Sequence, residues 1–149
     1  MSNRCEEVKT RKNMPRIRSI KPEFWKVTHD LSEGAALLFI GLWNFSDDYG
    51  VVELDPDLIK ANIYPKRPVE IGTIESRIDE LYSTERVIPF RCNGVSYGWM
   101  PAFSEHQVIN KKSQTRFPAP PPDMVHEYES KRNEERYEYS SHISLGFIS

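Results

Sequence analysis

Cysteine is scarce: Cys5 and Cys92 are the only two in 149 residues. Two thiols so far apart make no disulfide framework and point to reduced cysteines inside a cell. Histidine is equally thin. His29, His106, His126 and His142 are scattered, so none shares a helical face with another and none completes a zinc spacing with Cys92. Long apolar runs are missing as well. The longest, AALLFIGLW, falls far short of the ~20 residues that cross a bilayer. The charged start, MSNRCEEVKTRKN, has no apolar segment of the kind that directs secretion. A glycine-rich phosphate loop and a nucleophile elbow are absent, as is any grouping of nucleophile, base and stabiliser. These absences predict a cytoplasmic, non-enzymatic protein with no membrane contact, no metal and no cofactor.

What is present is an uneven distribution of charge. The formal net charge of -2 divides into about +5 over residues 1–22, about −4 over residues 23–122 and about −3 over residues 123–149. A basic arm leads, a mildly acidic body follows and an acidic tail closes the chain. Basic arms bind nucleic acid, although the first 13 residues serve equally well as a solubilising end.

The pattern between arm and tail is legible in pieces. In RIRSIKPEFW, Pro22 suits the start of a short helix, with Phe24 and Trp25 as core anchors. In LSEGAALLFIGLWNFSDD, Ser32 is a natural N-cap. Ala35, Leu38, Phe39, Leu42, Trp43 and Phe45 recur at helical spacing, which predicts the main core helix. Asp47, Asp48 and Gly50 are turn formers that end it; as neighbours the two acids resemble a metal pair only superficially. Val51–Leu54 is β-branched and short, a small strand. Asp55 then caps a helix with Pro56 at its first position and Leu58, Ile59 and Ile63 facing inward. PKRPVEIG interrupts it. Thr73 opens a further helix whose apolar face is Ile74, Ile78, Leu81 and Tyr82. Asn93-Gly94 between strand-like runs predicts a β-hairpin with a type I′ turn. Pro89 makes the first strand an edge, and Tyr97 and Trp99, on one face of the second, are expected to pack on the helices.

Helix, short strand, helix, helix and hairpin is the order of an α+β winged helix-turn-helix, expected over residues 14–117. Residues 1–13 form a basic extension, and residues 118–149 a proline-rich linker with an acidic, helical tail. In such a fold the later helix enters the major groove. Here that helix carries Glu75, Asp79, Glu80 and Glu85, which oppose a phosphate backbone. Positive charge gathers elsewhere: Arg16, Arg18 and Lys21 in the arm; Lys66 and Arg67 in the turn between the two helices; and Lys111, Lys112 and Arg116, with Asn110, in FSEHQVINKKSQTR after the hairpin. These nine are the candidate DNA-contacting residues, as phosphate contacts that give affinity rather than sequence readout. In that last stretch Phe103, Val108 and Ile109 are expected to pin the chain to the core, leaving His106 and the cations outward. Solvated loops of no special role carry the same residues.

Three blocks in order, RIRSIKPEFW, LLFIGLWNFSDDYG and HQVINK, together resemble phage and prophage proteins with an N-terminal winged-helix domain, of the replication initiator or replisome organiser type. The resemblance spans residues 14–120. It implies a bacterial host cytoplasm, a DNA-associated role and no catalytic residue. Two departures stand out. Lys112 follows INK where the family commonly has proline, and the chain ends in a short acidic tail where the family often carries a further domain.

Two functions follow as expectations. One is non-catalytic binding of duplex DNA in replication or transcription control, alongside a host or phage replication protein. The other is a protein-binding adaptor or inhibitor of a host nucleic-acid enzyme, in which acidic surfaces engage a basic partner. The apolar end, ISLGFIS, suits self-association.

Overall fold

The structure, a computed structural model, describes residues 15–148, with side chains to residue 140. The extension over residues 1–13, Cys5, Met14 and the side chains of ISLGFIS lie outside the described residues. Two compact units divide after Ala119.

The first unit is α+β. A short helix, α1 (Phe24–Val27), precedes the central α2 (Glu33–Phe45), followed by β1 (Val51–Glu53), α3 (Pro56–Ile63), α4 (Ile71–Ser83), β2 (Ile88–Cys92), β3 (Val95–Trp99) and the single turn α5 (Phe103–His106). The three strands form an antiparallel sheet in the order β1-β3-β2, an arrangement compatible with a winged helix-turn-helix.

The helix starts follow local chemistry. Ser32 accepts a hydrogen bond from the Ala35 N–H, and Asp55 accepts one from Asp57 with Pro56 behind it. Each satisfies a donor that a helix N-terminus leaves without an internal partner. Helix α4 departs from expectation. It begins at Ile71 after Glu70, without a side-chain cap, so Thr73 lies inside its first turn.

Leu38, Phe39, Leu42 and Trp43 of α2 are fully buried with Phe24, Ile74, Ile78 and Leu81. Burying each such side chain contributes ~1.5–3 kcal/mol. Trp25 does not join them: it is 63% exposed. A four-residue helix has room for one inward aromatic, and Phe24 takes that place, edge-on to Trp43 at 5.4 Å. Leu58, expected inward, lies on the exposed side of α3, because α3 turns only Ile59 fully into the core.

The hairpin tip is as expected. Asn93 and Gly94 both hold positive φ, 52° and 78°, as a type I′ turn requires, and Pro89 lies on the edge strand β2. The facing of β3 is the reverse of expectation. Gly98, opposite Val52, turns toward the helical core, and a Cβ there would sit 2.6 Å from both Leu54 Cδ1 and Val87 Cγ1. Alternation along the strand places Tyr97 and Trp99 on the other face. There Tyr97 stacks on Phe90 at 5.6 Å and meets Phe117 at 5.6 Å. Phe117, the last residue of the expected domain, therefore covers the outer side of the sheet.

The second unit contains α6 (Pro122–Ile148). Its described side chains are mostly exposed and charged on all sides, the composition of a solvated helix. Arg132 donates to the Tyr128 hydroxyl one turn earlier at 3.3 Å. No helix among the described residues is long and apolar enough to cross a membrane.

Candidate nucleic-acid interface

The arm is laid against the C-terminal end of α2. Arg16 and Asn44 exchange two hydrogen bonds, the Arg16 N–H donating to the Asn44 carbonyl and Asn44 Nδ2 to the Arg16 carbonyl, both at 2.8 Å. Extended chain alternates its side chains, so Arg18 is turned inward and Arg16, half-buried, lies on the same side, while Ile17 is almost wholly in solvent.

Arg18 is a structural residue. Its Nε donates to the Trp43 carbonyl at 2.9 Å, and Nη2 donates to the carbonyls of Ser46 and Asp47 at 3.1 and 3.2 Å. Nη1 pairs with Asp48 at 3.0 Å, and the guanidinium lies over the Phe103 ring at 5.1 Å. With 7% of its side chain exposed, it cannot meet a phosphate as expected. It supplies donors to the carbonyl end of α2, where a cation also complements the helix dipole.

The two acids of the turn are anchors. Asp47 accepts from the N–H groups of Tyr49 and Val51, both at 2.9 Å, and from the Thr115 hydroxyl. Asp48 pairs with Arg18 and, at 3.8 Å, with Arg16, and accepts from the Ser113 N–H at 2.9 Å. Burial raises the Asp47 carboxyl above its ordinary 3.8 despite the donors from Thr115, Val51 and Tyr49. Burial pushes Asp48 the same way, but the Ser113 N–H and the two arginines outweigh it and hold this carboxyl below 3.8.

The exit stretch is likewise partly internal. Gln107 is buried and exchanges two hydrogen bonds with the backbone of Ser19. Lys21 donates to the Glu105 carbonyl at 2.9 Å. His106, expected outward, is half-buried, with its ring 4.9 Å from Trp43, 5.6 Å from Phe39 and 6.1 Å from Phe24. Burial depresses its pKa below 6.5, aided by Lys21 and Arg86 and opposed by Glu105. Phe103 and Ile109 do pin the segment, but Val108 is 75% exposed. Val108 and Ile109 are neighbours in extended chain, whose side chains alternate, so only one of the two can face the core.

The nine candidates therefore separate. Arg16, Arg18 and Lys112 converge on the turn Asp47–Tyr49, where Lys112 Nζ lies 4.8 Å from the centre of the Tyr49 ring. Asn110 and Lys111 are exposed beside Lys112 in the chain, and Arg116 is half-exposed. Lys21 is half-buried over α5. Lys66 and Arg67 are exposed in a different loop, between α3 and α4, with Lys66 at φ 64°.

On α4, Glu75 and Asp79 are exposed. Glu80 instead accepts from the Ser32 hydroxyl at 2.8 Å, and Arg77 donates to the Tyr64 hydroxyl at 3.1 Å. Tyr49 is the surface residue that pattern reading passed over; an aromatic placed between turn acids and a glycine was its only signal. Among the described residues, no three His, Cys, Asp or Glu side chains are grouped to hold a metal ion. No family model, curated protein or solved structure matches the chain.

Proposed function

We propose that the protein is a non-catalytic winged-helix DNA-binding protein of the phage replication type, docking on duplex DNA in the host cytoplasm as part of a larger replication assembly. The observation that carries this reading is the exposed pair Lys66 and Arg67 on the turn between α3 and α4. In a helix-turn-helix that loop borders the backbone. Lys111 and Lys112 supply a second exposed pair. The resemblance of RIRSIKPEFW, LLFIGLWNFSDDYG and HQVINK to phage replication proteins supports the same reading. The three blocks are also one physical unit, joined through Arg18, Asp48, Ser19 and Gln107. Exposed Glu75 and Asp79 disfavour deep reading of the groove by α4, so affinity comes from phosphate contacts and sequence preference is weak.

Fluorescence anisotropy of the full chain with a labelled duplex tests this. About four phosphate contacts give a slope of log affinity against log salt of roughly −3 to −4, and reversing either pair to glutamate reduces it by about two. No duplex binding at low salt overturns the reading.

The exposed acids of α4 and α6 favour a second function, an adaptor or inhibitor that engages a basic host protein. A stoichiometric partner retained from host lysate after nuclease treatment, together with no duplex binding, selects it.

A further inference from the structure

We infer that the turn carrying Tyr49 is a contact site for single-stranded polynucleotide, with Tyr49 as the stacking platform and Lys112, Lys111 and Arg16 as the phosphate-facing charges. The inference rests on the DNA-binding reading and deepens it by naming a second substrate form and where that form binds.

Tyr49 stands at the tip of the Asp47–Gly50 turn with 48% of its surface exposed. Its backbone is fixed from behind, because the Tyr49 and Val51 N–H groups both donate to Asp47 Oδ1. The ring is thus a large aromatic surface on a rigid mount. It is not needed for the core, which closes around Phe24, Phe39 and Trp43.

The surroundings are positive. Lys112 Nζ lies over the ring, and Lys111 is exposed next to it in the chain. Arg16, 38% exposed, reaches the same turn through Asp48. Of the two acids beneath it, Asp48 is offset by the buried Arg18 guanidinium, and Asp47 is turned inward onto the Thr115 hydroxyl and the Tyr49 and Val51 N–H groups, so the charged groups presented at the surface of the turn are cations. An exposed aromatic flanked by basic side chains is the combination that holds single strands, since bases stack while cations follow the backbone.

Lys112 also provides for exchange. A base that stacks on Tyr49 takes the place of the ammonium over the ring, and the ammonium turns to the adjoining phosphate. Stacking of a base outweighs an exposed cation–π contact. A duplex cannot use this platform, because its bases are already stacked on one another. The site therefore discriminates single strands from duplex without reading sequence.

The test is anisotropy of the full chain at low salt with three labelled probes: oligo(dT) of about 15 nucleotides, oligo(rU) of the same length and a duplex. The chain is expected to bind oligo(dT). Tyr49→Ala weakens that binding about tenfold, Tyr49→Phe keeps it within about twofold and Lys112→Gln weakens it, while duplex affinity is unchanged by either Tyr49 substitution. Equal binding of oligo(rU) assigns the site to single strands of both sugars, and preference for oligo(dT) assigns it to DNA; both support the inference. Failure to bind either single strand overturns it, as does an unchanged oligo(dT) affinity in folded Tyr49→Ala, checked by circular dichroism. Duplex binding without single-strand binding removes this inference and leaves the proposed function standing; binding of neither removes both.

Discussion

Ser19 and Gln107, far apart in sequence, close on one another through two hydrogen bonds: the Ser19 N–H donates to Gln107 Oε1 at 3.0 Å, and Gln107 Nε2 donates to the Ser19 carbonyl at 2.7 Å. A glutamine amide has one donor end and one acceptor end, so it replaces the partner strand that this isolated piece of extended backbone lacks. Gln107→Ala leaves both Ser19 groups without their partner and costs about 2 kcal/mol. Gln107→Glu keeps the shape but sets a buried carboxylate oxygen against the Ser19 carbonyl, so near neutral pH it costs at least as much as alanine. Urea denaturation reads both; a loss under about 0.5 kcal/mol for the alanine variant makes the clamp incidental.

Arg18 and Asp48 form a buried pair, and removing one partner strands the other. Asp48→Asn costs ~3 kcal/mol near neutral pH. Because the Asp48 carboxyl is held below its ordinary 3.8, its stabilisation is complete above pH 3.8 and is lost as pH falls through the lower folded value. The gap between wild type and Asp48→Asn should accordingly begin to narrow as pH falls below 3.8 and close only below the folded value, where both proteins hold a neutral group. Arg18→Lys should not rescue Arg18→Met, since one ammonium cannot span three carbonyls and a carboxylate. Thermal melts from pH 7 to pH 3 decide both points, and a gap independent of pH contradicts the pairing.

His106 gives a second pH dependence, higher on the scale. Its pKa is depressed below 6.5 by burial against Trp43, Phe39 and Phe24, so the unfolded chain binds the proton more readily than the folded one. The stability linked to the neutral ring is whole above pH 6.5 and declines as pH falls below it. His106→Phe keeps an aromatic in place without a titrating group. Its melting temperature should fall less than that of wild type between pH 7.5 and pH 5.5; parallel declines would exclude His106 as the cause.

Gly98 sits where the sheet approaches the helices. Gly98→Ala places a methyl against Leu54 and Val87 and costs about 1–3 kcal/mol by overpacking. Val87→Ala opens space at the same point, so the double variant should be more stable than the sum of the single losses implies. Simple additivity in chemical denaturation would show that the contact relaxes without strain.

The sequence by itself determined what local chemistry can determine. The helical spacing of Leu38, Phe39, Leu42 and Trp43, the caps at Ser32 and Asp55, and the Asn93-Gly94 turn each depend on neighbours within a few residues, and each stands where the pattern placed it. Tertiary structure decided which side each ambiguous residue faces. Tyr97 and Trp99 alternate correctly, but a strand's period does not say which face meets the helices; Gly98 does, because only a residue without a Cβ admits Leu54 and Val87. Arg16, Arg18, Lys111 and Lys112 are all plain surface cations by composition. Arg18 alone is drawn in, because the end of α2 exposes carbonyls beside the Asp48 carboxylate, and burial of that acid is tolerable only with a guanidinium against it. A charge's partner is set by what long-range folding brings within 3–4 Å of it, and no spacing along the chain encodes that distance.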